Sequence, residues 1–387
     1  MKFIFEDESF SFEALRAAGY ATYSGAELGE VLVTCRQVPE GDEQAWSAEW
    51  AATAERVEAI GRTALAAGHK VSAREALLRA SNYYRTADFY RRDDPVNDAE
   101  SARLSAASRK TFADAAELFD FPARPVRIPF EDTTLPGYLF LVDDSGAPRP
   151  TVVYHGGYDS TLEEDYLALA AGALRRGYHV LAFDGPGQGS ALREQGIHFR
   201  PDWEAAVTPV VDYALTLPEV DANRIVLIGT SLGGYLAARA AAFEHRLASC
   251  VLHDGVYDVH EAFHQLSLGD ADISRDGLAK VSTQTRWAVL NGLWTFGVDS
   301  AKELVEATKS YTMQGIADRI SCPTLVLEAE ADQFFKGQPE QIHDALTCPK
   351  ELFVFAENEG GGEHCHEGAL ALWHQRAFDW LDGVLAN

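Results

Sequence analysis

Cysteine is scarce in this chain of 387 residues. Five are scattered along it (Cys35, Cys250, Cys322, Cys348 and Cys365), an odd number without framework spacing. That argues against a disulfide scaffold and for reduced thiols in a cytoplasmic protein. Positive charge is also short. Thirty-three Lys and Arg face 59 Asp and Glu, a formal net charge of −26. Such a surface repels nucleic acid and anionic membranes, so neither is expected as a partner. No run approaches the roughly 18 apolar residues that a membrane helix needs. The opening residues, Met1 to Asp7, lack the apolar core of a signal peptide. No internal repeat or low-complexity segment is visible. What the chain does have is 47% hydrophobic residues and enough length for two domains.

Residues from about 8 to 120 are rich in Ala, Glu, Arg and Leu, with apolar positions at helical spacing, as in Trp46–Ala67 and Ser72–Tyr90. Val31-Leu32-Val33 is the main strand-like exception. This predicts a helical domain over 1–121. The pattern changes near Pro122. Strand-like runs follow at Pro125–Phe130, Leu135–Val142, Thr151–Tyr154, His179–Phe183, Arg224–Ile228, Ala248–Leu252, Thr324–Leu327 and Glu351–Phe355. Helical patterns alternate with them, and a last helix runs from Leu370 to Leu385. The alternation predicts an α/β domain over 122–387, with a mostly parallel sheet flanked by helices on both faces. A long gap between two consecutive strands reads as a helical lid at about 256–318, placed over the carboxyl edge of the sheet.

The most informative stretch is Arg224–Ala240. A short aliphatic strand leads into Gly229-Thr230-Ser231-Leu232-Gly233, and an alanine-rich helix follows. G-x-S-x-G between a strand and a helix is a nucleophile elbow, a turn so tight that glycines must flank the serine. Ser231 is therefore the candidate nucleophile. A serine alcohol needs a base within reach and a carboxylate to orient that base. The chain order of such a site is serine, acid, histidine. Asp332 lies just past the strand Thr324–Leu327, with Glu330 as fallback and Glu328 nearer the strand. After Glu351–Phe355, a glycine-rich loop carries both His364 and His366, and the first is preferred. Glu363, His364, Cys365 and His366 are too crowded in sequence to surround one ion, so no metal is expected. The oxyanion of an acyl-transfer intermediate needs two amide donors. Leu232 supplies one, and either Gly157 or Tyr158, after the strand Thr151–Tyr154, supplies the other. Asp184-Gly185-Pro186-Gly187-Gln188-Gly189 does not fit a dinucleotide fingerprint and reads as a turn at the rim of the site. No cofactor is called for.

Leu78-Arg79-Ala80-Ser81-Asn82-Tyr83-Tyr84-Arg85, Asp184–Gly189, Arg200-Pro201-Asp202-Trp203-Glu204, Trp294-Thr295-Phe296-Gly297, Cys322-Pro323-Thr324 and Gly362-Glu363-His364-Cys365 extend the pattern along most of the chain. Together with the elbow they resemble one branch of the α/β-hydrolase superfamily. That branch holds 2,6-dihydroxypseudooxynicotine hydrolase and the fungal yellowish-green-1 type polyketide-shortening hydrolases. The resemblance implies Ser231 as nucleophile, Asp332 as acid and His364 as base. It also implies a helical domain packed over the active site, a homodimer, and cleavage of esters or of carbon–carbon bonds beside a ketone in a small organic substrate. Some members carry an extra acidic residue after the strand that follows the elbow helix. Here Asp254–Glu261 is the comparable stretch, with Asp258, His260 and Glu261 as candidates. Tyr83, Tyr84, Trp287, Trp294, Phe296 and Glu261 are candidate pocket residues, although aromatics at such positions are more often core. The same residues would also serve an acyltransferase or cyclase, and a catalytically dead binding protein is the non-enzymatic alternative.

Overall fold

The computed structural model describes residues 1–265 and 274–386. The chain forms two compact units. One comprises Met1–Ala123 with Ser282–Leu290, and the other Arg124–Val281 with Asn291–Asn387. In the first unit, α1 (Glu8–Gly19), α2 (Leu28–Cys35), α3 (Glu43–Ala66), α4 (Lys70–Asp88) and α5 (Ala99–Ala116) follow one another. Aspartates cap three of them: Asp7, Asp42 and Asp98 each accept a backbone N–H of the first turn. Val31-Leu32-Val33, expected as a strand, lies within α2. Val31, Thr34 and Cys35 are buried while Val33 is 58% exposed, which is helical rather than alternating periodicity. Three β-branched or aliphatic residues are too few to outweigh that pattern.

Ser282–Leu290 falls in the stretch read as lid, yet it packs with the N-terminal helices. Trp287 stacks on Phe89, with centroids 4.4 Å apart, and donates its indole N–H to the Phe89 carbonyl. Arg286 pairs with Glu43 and Asp93.

The second unit holds an eight-stranded sheet: β1 (Ala123–Phe130), β2 (Thr133–Phe140), β3 (Arg149–His155), β4 (His179–Phe183), β5 (Val220–Thr230), β6 (Ser249–His253), β7 (Thr324–Ala329) and β8 (Lys350–Phe355). Their order is β1-β2-β4-β3-β5-β6-β7-β8. β2 runs antiparallel to β4, and the strands from β4 to β8 are parallel. This is the α/β-hydrolase fold. The central strands read as continuous apolar runs because both faces are covered. Val152, Val153, Val180, Leu181, Ile225–Ile228, Val251, Leu252 and Leu325–Leu327 have no exposed surface. Each such side chain contributes about 1.5–3 kcal/mol on leaving water.

Parallel pairing brings the carboxyl ends of six strands, β3 to β8, to one edge. His155 lies beside Gly229, Thr230 beside His253, His253 beside Leu327, and Ala329 beside Phe355. Gly157, Ser231, Asp254, Asp332 and His364 each follow one of these strand ends. Within this unit, parts of the expected lid pack on the loop after β3. Phe263, on the helix Val259–Gln265, meets Tyr158 edge-on at 5.6 Å, and Asn291 donates to the Tyr158 carbonyl. Residues 266–273 of that lid lie outside the described residues. Among the described residues, no helix is long and apolar enough to cross a membrane.

Candidate active site

β5 ends at Thr230, and the chain turns through Ser231 straight into the helix Leu232–Ala241. Ser231 has φ 64° and ψ −129°, a strained conformation for a residue with a side chain. The turn closes so tightly that a Cβ on Gly229 would sit 2.1 Å from the Gly233 carbonyl oxygen, and one on Gly233 would sit 2.6 Å from that of Gly156. Neither position admits any other residue. The Ser231 amide donates to the His253 carbonyl (2.9 Å), and its carbonyl accepts from Gly234 (2.7 Å). These bonds tie the bend to the end of β6.

His364 arrives on the loop after β8. Its Nε2 lies 2.9 Å from Ser231 Oγ, and its Nδ1 lies 2.8 Å from Asp332 Oδ2. A carboxylate only accepts, so Nδ1 carries the proton and Nε2 is left to accept from the serine hydroxyl. Asp332 follows β7. Its Oδ1 accepts from the amides of Phe334 and Phe335, which fixes the carboxylate, and both phenyl rings pack on the His364 imidazole. The structure thus brings Ser231, His364 and Asp332 into one line.

A family model described as Esterase FrsA-like matches residues 33–274, and one described as the prolyl oligopeptidase family matches 168–387. The chain belongs to the α/β-hydrolases of the FrsA-like family. It is similar to Hydrolase acrC of Aspergillus aculeatus, at 37% identity over 98% of this chain and 97% of that one. It is also similar to 20-hydroxy-prefusarin hydrolase FUS2 of Gibberella moniliformis, at 35% identity over 99% and 98%. Among solved structures, 2,6-dihydroxy-pseudo-oxynicotine hydrolase superposes with a TM-score of 0.76 and 24% identity over 95% of both chains, which shows a shared fold.

Two loops complete the edge around Ser231 in this hydrolase. The Leu232 amide opens its helix and so has no intrahelical carbonyl to bond. Gly157 lies directly against it, and a Cβ there would stand 2.7 Å from Leu232 N and 2.8 Å from the Thr230 carbonyl. The Gly156–Gly157 backbone is braced from behind. Gln188 Nε2 donates to the Gly156 carbonyl (2.7 Å) and reaches that of Gly157 (3.2 Å), while its Oε1 accepts from Gly185. His155 Nδ1 bonds the Gly156 carbonyl as well, and its Nε2 accepts from the Trp203 indole. Burial lowers the His155 pKa to about 4, so the ring stays neutral and keeps both roles. Asp184–Gly189, expected as a rim turn, carries this brace. Its signal was the polar Gln188 among glycines.

The aromatic candidates separate. Tyr83 donates its hydroxyl to Glu30 and accepts from the Glu27 amide, and Tyr84 donates to Glu58. With Trp287 on Phe89, these three make the contacts named here within the helical unit. Within the second unit, Phe296 stands near Tyr158 and packs on Phe199 and Tyr311. Trp294 is half-buried under the Arg193 guanidinium. Asp258 accepts from the Glu261 amide at its helix start, His260 Nδ1 bonds the Val305 carbonyl, and Glu261 is exposed, 3.3 Å from Gln338 Nε2.

The acidic group that does reach the site is Asp254, the residue directly after β6. It has no exposed surface, and its Oδ2 lies 3.0 Å from His364 Nδ1 while accepting from the Cys365 amide at 2.8 Å. Burial works against a charged His364, and the carboxylates of Asp332 and Asp254 outweigh it, raising its proton affinity well above the ordinary imidazole value. Burial likewise opposes ionisation of Asp254, yet the adjacent His364 holds it well below the usual carboxylate range.

His366 does not face Ser231. It is fully buried, its ring 3.9 Å from that of Phe355 and 4.9 Å from that of His253. Donor atoms of His253, Asp254 and His366 fall within 4.8 Å of one another, as do those of Asp254, His364 and Cys365. In both sets Asp254 Oδ2 is already engaged with His364. Cys365, 3.2 Å from His364 Nε2, is held as a thiol because burial and Asp254 push its pKa well up, and a thiol is a poor ligand.

Proposed function

We propose that this hydrolase works through a covalent acyl-enzyme on Ser231, with His364 as base and Asp332 as its orienting acid. His364 Nε2 takes the hydroxyl proton as Ser231 Oγ attacks the substrate carbonyl. The oxyanion is met by the Leu232 amide and by an amide of the Gly157–Tyr158 loop. The imidazolium then protonates the leaving group, and water, deprotonated by the same imidazole, releases the acid and restores Ser231. The observation that carries this reading is the 2.9 Å approach of Ser231 Oγ to a His364 ring whose other nitrogen stands 2.8 Å from Asp332.

The proposed substrate is a small or medium-sized organic carbonyl compound. It is cleaved at an ester or at the carbon–carbon bond of a β-diketone, where the leaving group is an enolate. A relative named for hydrolysis of 20-hydroxy-prefusarin, alike over nearly the whole of both chains, supports an organic metabolite over a peptide. Two measurements test the proposal. A fluorophosphonate probe should label native protein at Ser231 and fail to label Ser231→Ala. Turnover of esters, thioesters and 1,3-diketones should then rank the bond classes. Absence of labelling on folded protein would leave a binding role instead, and products carrying an added alcohol or amine would indicate acyl transfer.

A further inference from the structure

Asp254 is expensive to keep. It is a fully buried carboxylate in a left-handed backbone conformation, φ 61°, where a residue with a side chain is strained. A Cβ on Gly234 would meet its carbonyl oxygen at 2.2 Å, so the elbow helix and the end of β6 are pressed together at this point. Taking an ionised carboxylate out of water costs several kcal/mol unless something offsets it. The bond from the Cys365 amide does not require charge, because an asparagine oxygen would accept it equally well. Oδ1 has no protein partner at all. Among the described residues, the one ion-pair partner of Asp254 is His364 Nδ1. His253 and His366, the other ionisable neighbours, are kept neutral by burial. What remains for the negative charge is the imidazolium that forms on His364 during turnover.

We propose that Asp254 is a second positioning carboxylate for the general base, gripping His364 Nδ1 from the end of β6 while Asp332 grips it from the loop after β7. This rests on the triad reading above. Two acceptors 2.8 and 3.0 Å from one N–H fix the tautomer and the plane of the ring from two strands at once. Both stabilise the charged ring, so the base is stronger than one carboxylate alone would make it, and either aspartate sustains part of the rate without the other.

The acid limb of kcat/KM tests this, because it reports His364 in the free enzyme. The imidazole must be neutral to accept the serine proton, and activity is lost as pH falls through its raised value. Asp254→Asn keeps the acceptor for Cys365 but removes the charge, so the limb should move down by about one pH unit or more. Asp332→Asn should cost roughly 10- to 100-fold in kcat, and the double variant roughly 10⁴-fold, the size of loss seen when a triad histidine loses its only carboxylate. A limb unmoved in folded Asp254→Asn would sink the proposal, as would Asp332→Asn alone being as poor as the double variant. Should Asp254→Asn not fold, Asp332→Asn still decides. The downfield His364 Nδ1 proton resonance, identified by its loss in His364→Gln, should persist there, and its disappearance would refute a second acceptor. Ser231→Ala separates the two readings. If it remains active, the triad reading fails, whereas an inactive Ser231→Ala with an unmoved Asp254→Asn limb removes Asp254 alone.

Discussion

Gly157→Ala is the most discriminating perturbation of the proposed oxyanion site. A methyl on this residue would stand 2.7 Å from Leu232 N, 2.8 Å from the Thr230 carbonyl oxygen and 3.1 Å from Gly233 N. All three are backbone atoms of the elbow, so no side chain can swing aside. Relief to ordinary van der Waals contact requires the 155–160 loop to retreat by roughly 0.7 Å, on the scale at which misplacement costs about a hundredfold in rate. The same methyl would also crowd the Leu232 N–H. Losing one amide donor costs about 3 kcal/mol of transition-state stabilisation, again about a hundredfold in kcat. Substrate binding in the ground state, where the carbonyl carries little charge, should change far less, so KM should stay within severalfold. Burst titration with an activated ester counts competent sites, steady-state kinetics on the same ester gives kcat, and a thermal melt checks the fold. A variant that titrates fully, melts normally and retains kcat within threefold would show that the oxyanion does not form between Gly157 and Leu232.

Other substitutions test rankings made from the sequence. His364→Ala should lower kcat by about 10⁴-fold or more, whereas His366→Asn, which suits the left-handed φ of 55° at that site, should keep it within tenfold; steady-state kinetics in the opposite order would exchange the two roles. Tyr83→Phe removes a hydroxyl bonded to Glu30 and Glu27 and should cost about 2 kcal/mol in chemical denaturation while leaving KM within twofold. A large rise in KM would return that ring to the substrate pocket.

Much of the fold was legible because its signals are local. The strand runs from β3 to β8 are bounded by glycines, prolines and polar turns, and a parallel sheet covered on both faces makes its strands continuously apolar. The elbow was legible for a steric reason: a backbone approach of 2.1 Å between a Gly229 Cβ and the Gly233 carbonyl leaves glycine no substitute. Val31-Leu32-Val33 misled because three residues cannot report which neighbours will bury them. Tyr83, Tyr84 and Trp287 could not be sorted in the sequence because a ring that lines a pocket and a ring that packs a helix look alike in one dimension.

The sequence by itself determined where the candidate nucleophile lies, which strand ends deliver its partners, and that an acid and a histidine should follow in that order. Short-range sterics and chain order suffice for that. The tertiary structure alone decided that Gln188 braces the Gly156–Gly157 loop and that Asp254 shares Nδ1 with Asp332, and it turns His364, the histidine preferred from the sequence, toward Ser231. Each depends on side chains from separate strands meeting within about 3 Å, the length of a hydrogen bond. Such a distance is set by the register of β6, β7 and β8 and by two left-handed turns, none of which is written in any single segment.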